Sequence, residues 1–160
     1  MNAHFNKGDV KMNECKKRVD LLLSGTFRGK ACRLSVECYP KTAEIKATLL
    51  PTDGSAPILL TQNLGQSMAP YQAFLADGIL ELGSAEFMDY AERNGLGYLA
   101  DFKRYDTDLL TGQPRRIAAV FQFDKAALRK VHPSGCARYE RHSHRLKCRP
   151  AFRRCVAVGA

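Results

Sequence analysis

The sequence predicts an α+β domain in which an antiparallel sheet of about four strands packs on one main helix, with a basic C-terminal tail. Three observations carry that expectation. Between Ala31 and Gln62 two clean apolar/polar alternations and a third apolar run are divided by turn-forming residues, the pattern of half-buried strands. Around Phe87, Tyr90 and Ala91 the spacing switches to the three- and four-residue step of a helix. The charge is uneven: Val131–Ala160 holds seven Lys or Arg against one acidic residue, Glu140, a surplus of six out of the chain's net +9.

These features divide the chain into a loose leader (residues 1–18), one domain (19–131) and a flexible basic tail rich in Cys and His (132–160). Met12 stands as an alternative start. Val19–Leu23 is a short apolar run that periodicity assigns to neither strand nor helix. In Ala31–Tyr39, Cys32, Leu34, Val36 and Cys38 point one way and Arg33, Ser35 and Glu37 the other, until Pro40 ends the strand. Glu44–Leu50 alternates again, with Ile45, Ala47 and Leu49 inward. Pro51-Thr52-Asp53-Gly54-Ser55 reads as a turn, because Pro presets φ and Asp-Gly tolerates the left-handed region. Pro57–Gln62 completes a hairpin. Short connections make the pairing antiparallel.

Residues 66–83 read as irregular. Ser84 is the expected N-cap of a helix over Ala85–Asn94, with Glu86 in its first turn and Asn94-Gly95 as its stop. Gly95–Pro114 reads as a polar, turn-rich loop. Arg116–Phe123 is the fourth strand, and Asp124 caps a short helix, Lys125–Val131, broken by His132-Pro133-Ser134-Gly135. The expected core sets Leu34, Val36, Ile45, Leu49, Ile58, Leu60, Ile117, Ala119 and Phe121 of the sheet against Phe87 and Tyr90 of the helix.

At 160 residues, with 45% apolar and 26% charged residues, the chain has room for one core that needs neither disulfide nor metal. The polar stretch Met1–Asp20 lacks the apolar core of a signal peptide, so a cytoplasmic location is expected. No apolar run approaches the length that spans a bilayer, and no membrane partner is expected. Six cysteines (Cys15, Cys32, Cys38, Cys136, Cys148, Cys155) are then expected as reduced thiols.

Three blocks, Leu60-Thr61-Gln62-Asn63-Leu64-Gly65, Phe87 through Glu92-Arg93-Asn94-Gly95-Leu96-Gly97, and Ala119-Val120-Phe121-Gln122-Phe123-Asp124 followed by Leu128, resemble a family of "domain of unknown function" proteins. That family is carried on plasmids, conjugative elements and phages. The resemblance covers residues 31–130 and leaves the tail without a counterpart. It implies an accessory protein of a mobile element, a class that includes anti-CRISPR and antirestriction factors. The partner it implies is a host defence protein complex. A chain of net +9 lacks the dense negative charge of a DNA mimic, so such a role would work by protein contact or by competition for nucleic acid.

Four sets of residues are candidates for chemistry. In the tail, Arg138, Arg141, Arg145, Lys147, Arg149, Arg153 and Arg154 could neutralise phosphates, with Tyr139 and Phe152 to stack on bases; nucleic acid is thus the alternative partner. Cys136, His142, His144, Cys148 and Cys155 are zinc ligand types, but only His144-x3-Cys148 approaches the close pairing of a tetrahedral site, and no metal or other cofactor is expected. Asp101, Asp106 and Asp108 near Tyr105 lack the spacing of a calcium loop and read as a solvated turn. Gly95 and Gly97 lack the Lys-Ser/Thr that completes a phosphate loop, and Gly25 and Gly29 do not follow a secure strand. His4 and His132 have no evident nucleophile beside them. The expected function is therefore non-enzymatic binding.

Overall fold

The computed structural model describes residues 21–66 and 68–148; the leader 1–18 and residues 149–160 of the tail lie outside them. Through the described residues the elements run β1 (Cys32–Cys38), β2 (Ile45–Pro51), β3 (Ile58–Leu59), β4 (Thr61–Gln62), β5 (Gln72–Leu75), α1 (Asp77–Arg93), β6 (Gly97–Thr107), β7 (Pro114–Phe123), α2 (Lys125–Val131) and α3 (Pro133–Cys148). The α+β class and the antiparallel pairing are as the sequence predicts. The sheet is larger: one unit has the order β1-β2-β3 and the other β4-β5-β7-β6, all antiparallel.

The two units meet at Leu60. Its N–H donates to the Ala47 carbonyl (2.9 Å), and its own carbonyl accepts from the Ala76 N–H (2.8 Å). The run Ile58–Gln62, which the sequence presents as one strand, thus leaves β2 and joins β5 within a single residue. Where it turns away, the Thr61 hydroxyl accepts the Ala47 N–H (3.1 Å) in place of a backbone carbonyl. A buried backbone donor must be paired somewhere, and Thr at this position supplies the partner.

β1 and β2 follow the alternation read from the sequence, with Cys32, Leu34, Val36, Ile45, Ala47 and Leu49 buried. β5 escaped the sequence reading because it does not alternate: Ala73 and Leu75 face the main core, while Phe74 packs with Met68, Ala118 and Val120 in a second cluster. A strand buried on both faces shows no period of two. Helix α1 begins at Asp77, not near Ser84, which lies inside it. Ala76 provides no side-chain cap, so nothing in the sequence announces the start. Its end is as expected. Gly95 (φ +61°) donates to the Glu92 carbonyl and Leu96 to the Ala91 carbonyl, the paired bonds of a Schellman stop.

The main core is aromatic. Phe87 meets Phe27 (6.1 Å between centroids) and Phe121 (5.5 Å); Phe121 meets Phe123 (4.9 Å), and Phe27 meets Tyr90 (5.6 Å). Phe27 enters from a tight turn, Phe27–Lys30, whose central residues Arg28 (φ +52°) and Gly29 (φ +74°) are both left-handed. Of the expected core face, Ile117 is the exception. It is 56% exposed, because β7 there runs out beside β6.

The largest correction concerns the tail. Asp124 caps α2 through the Ala127 N–H (2.8 Å), as expected, but the chain then restarts at Pro133 as a sixteen-residue helix. Gly135, Cys136, Tyr139, Ser143 and Leu146 of α3 are buried, and Cys136 and Tyr139 belong to the main core. The spacing 136, 139, 143, 146 is helical. It is masked in the sequence by the charges between these positions. Residues 133–148 are therefore part of the packed domain and not a flexible tail. Cys32, Cys38, Cys136 and Cys148 are free thiols, and no described helix is long and apolar enough to cross a membrane.

Candidate functional site

Folding α3 onto β1 sorts its side chains. Arg138, Arg141 and Arg145 lie exposed on the outer face, with Ala137, His144 and Cys148, while Lys147 is half-buried. Three of the seven expected phosphate-binding residues thus form one stripe, at steps of three and four; Arg149, Arg153 and Arg154 fall outside the described residues. Tyr139, expected to stack on bases, is unavailable. Its ring is buried, and its hydroxyl accepts from the Tyr71 N–H (3.1 Å).

The same helix separates the metal-ligand types. Cys136 points into the core, His142 bonds the Pro40 carbonyl (3.0 Å), and only His144 and Cys148 remain neighbours, at 3.6 Å on the exposed side. Among the described residues no three His, Cys, Asp or Glu side chains gather into a site. The acidic candidates also separate. Asp101 accepts from the Phe102 N–H (2.8 Å) within β6, and Asp108 accepts from the Leu110 N–H (2.9 Å) in the β6–β7 turn.

Titratable groups where the elements meet hold the fold together. His132 sits between α2 and α3, and its Nδ1 accepts the Val36 N–H (2.9 Å). Burial, reinforced by Arg138, holds its pKa below the ordinary imidazole value. Glu140 accepts from the Tyr71 hydroxyl and from Arg129 (2.8 and 3.1 Å), and these hydrogen bonds hold its carboxyl below the usual range. Tyr71 is left-handed (φ +61°) and fixed from three sides: its N–H by Tyr139, its carbonyl by the Phe123 N–H (2.8 Å), its hydroxyl by Glu140. The Cys136 thiol beside it is pushed up to about 11, chiefly by burial, which makes it a poor nucleophile. Glu44, with one oxygen unpaired, is raised by desolvation and sits under the Thr42 turn.

The surface that the sequence concealed is the long hairpin of β6 and β7. In place of the expected loop over Gly95–Pro114, β6 pairs with β7 along eleven residues. A bulge between Leu99 and Asp101 shifts the phase, so Leu99 stands opposite Phe121 and Phe102 opposite Ala119, on the same face. That shift breaks the period of two in GYLADFKRYDT, which is why the segment does not read as a strand. With Leu80, Ala85 and Met88 of α1, the side chains Leu99, Phe102 and Ile117 line an open apolar groove of about 470 Å³. At the hairpin tip Leu109 and Leu110 are 98% and 95% exposed.

No family model, no curated protein and no solved structure matches this chain. Its surfaces therefore carry the functional argument.

Proposed function

We propose that this protein is a non-enzymatic binding module that grips a protein partner with the β6–β7 hairpin and the groove beside it. One observation carries the reading. Two adjacent leucines stand almost wholly in water at the tip, while Phe102 (57% exposed) and Ile117 line the groove below them. Exposed apolar surface of this extent marks interaction sites in monomeric domains, and aromatic and aliphatic anchors dominate binding energy at protein interfaces. The structural use of His132, Cys136 and Glu140 supports the same reading, since each of these three is engaged in holding elements together. We take the partner to be a host defence protein complex, of the kind countered by anti-CRISPR or antirestriction factors, on the resemblance of the three sequence blocks to a mobile-element family.

The test pairs capture of tagged full-length chain on purified host defence complexes with a plasmid-interference assay. The wild-type chain is expected to bind a complex and relieve interference, and Leu109→Asp/Leu110→Asp is expected to lose both. Absence of capture together with absence of relief overturns the reading.

The stripe Arg138, Arg141 and Arg145 favours a second reading, contact with nucleic acid. Truncation after Val131 would remove Cys136 and Tyr139 from the core along with the charge, so the test is the triple reversal to Glu. Salt-sensitive DNA or RNA binding that vanishes in this variant supports the stripe; binding unchanged by it, or absent in the wild type, removes that reading.

A further inference from the structure

The β6–β7 hairpin carries both an apolar projection and an apolar recess. The projection is its tip. The Asp108 N–H donates to the Gln113 carbonyl and the Gly112 N–H to the Asp108 carbonyl (both 2.8 Å), while the Asp108 carboxylate accepts the Leu110 N–H (2.9 Å). Leu109 and Leu110 are thus held out in water by a loop that is already ordered, and such a loop loses little conformational freedom on docking. The recess is the groove walled by Leu99, Phe102 and Ile117 of the hairpin and Leu80, Ala85 and Met88 of α1. At about 470 Å³ it has room for two leucine side chains.

We propose that the chain forms a two-fold homodimer in which the hairpin tip of each copy docks in the groove of the other. The inference rests on the reading of this hairpin as a docking surface and names an occupant for its groove. Two relationships select a second copy. One is charge. Arg104 stands opposite Ile117 and two residues from Phe102, so it shares the face that lines the groove. The tip carries the opposite sign, with Asp108 next to the leucines. Leucines entering the groove bring Asp108 of one copy toward Arg104 of the other, which favours this orientation over the reverse. The other is spacing. Phe102 and Thr107 lie on one strand, five steps or about 17 Å apart, so groove and tip stand at opposite ends of the same face. Two hairpins laid antiparallel, face to face, set each tip over the other's groove, and a single two-fold axis satisfies both contacts. The backbone edge of β6 takes no part; its Phe102 N–H is already accepted by the Asp101 carboxylate (2.8 Å).

The arrangement closes on itself. Each copy offers one tip and one groove, and the two-fold dimer uses both, so a third copy finds neither. The contact is a small apolar one with a single charge pair at each end, the size class of weak and reversible association. Dilution returns the chain to monomers. Self-association covers the surface assigned above to a defence complex, so the two bindings compete, and the dimer is the resting form of the site.

The experiment is sedimentation equilibrium on the purified full-length chain over a wide concentration range, needing no other protein. A species of twice the 17.8 kDa chain mass is expected, dissociating on dilution. Leu109→Asp/Leu110→Asp at the tip and Phe102→Asp in the groove are each expected to weaken association by about a hundredfold or more, and Arg104→Glu by about tenfold. The deciding measurement mixes the tip variant with the groove variant. Each alone lacks one half of every contact, whereas the mixed pair keeps one intact tip and one intact groove, so a dimer is expected to reappear in the mixture alone. These positions are exposed, circular dichroism checks that each variant is folded, and Ile117→Asp serves as a second groove variant. A chain that is monomeric throughout, assembly beyond two copies, a dimer indifferent to the tip or groove variants, or a mixture that stays monomeric overturns the proposal. A monomeric chain that still captures a defence complex leaves the binding reading standing, and a dimer that captures none removes that reading alone.

Discussion

The ring nitrogen Nδ1 of His132 accepts the backbone N–H of Val36 at 2.9 Å, so a side chain between two helices completes the outermost strand of the sheet. The bond exists only while Nδ1 is unprotonated. Burial and the nearby Arg138 lower the folded pKa below the ordinary imidazole value of 6.5. The unfolded chain therefore binds the proton more readily, and the stability His132 contributes is full above pH 6.5 and is lost as pH falls through the lowered folded value. Urea titrations from pH 7.5 to 5 are expected to show this loss in the wild type. In His132→Asn, where an amide oxygen can take the Val36 N–H, the slope over that window is expected to flatten. An unchanged slope would remove His132 as its source.

Gly135 lies where α3 crosses β1. A Cβ there would collide with the Val36 carbonyl oxygen and the His132 ring. Replacing a helical Gly by Ala ordinarily stabilises by about 1 kcal/mol. Here Gly135→Ala is expected to destabilise by about 1–3 kcal/mol, the range for overpacking. Chemical denaturation measures the sign directly.

Tyr139→Phe removes the hydroxyl that accepts the Tyr71 N–H and leaves that buried donor unpaired. A loss of about 1–3 kcal/mol is expected. Glu140→Gln alters a pair that solvent reaches and is expected to cost under about 1 kcal/mol. Equal effects from the two would contradict the assignment of Tyr139 as the buried anchor.

Truncation after Val131 removes Cys136, Tyr139 and Leu146 from the interior. It is expected to abolish cooperative thermal unfolding, since each large buried side chain contributes about 1.5–3 kcal/mol and domain stability is only about 5–15 kcal/mol. A sharp calorimetric transition in the truncated chain would show that α3 is dispensable.

Leu109→Asp/Leu110→Asp touches residues that pack on nothing and is expected to leave stability within about 0.5 kcal/mol of wild type. Its measurement by denaturation separates a binding defect from a folding defect in the interference assay.

Local structure is legible in the chain wherever one face is buried and the other wet. β1, β2, α2 and the end of α1 follow from alternation, from Asp124 as a cap and from Gly95 as a stop, because those signals lie within a few residues of the elements they specify. The remaining elements depend on packing between distant segments. Phe74 and Leu75 are buried on opposite faces, so β5 has no period to read, and the bulge at Ala100 resets the phase of β6 and hides its apolar face among charges. Of the candidate site, the sequence displayed the arginines of α3 but not Cys136, Tyr139 and Leu146 beneath them, because net charge is a property of composition while burial depends on what packs opposite. The apolar groove beside β6 and the exposed tip at Leu109 and Leu110 exist only once distant segments have taken their places, and these are the surfaces on which a partner would act.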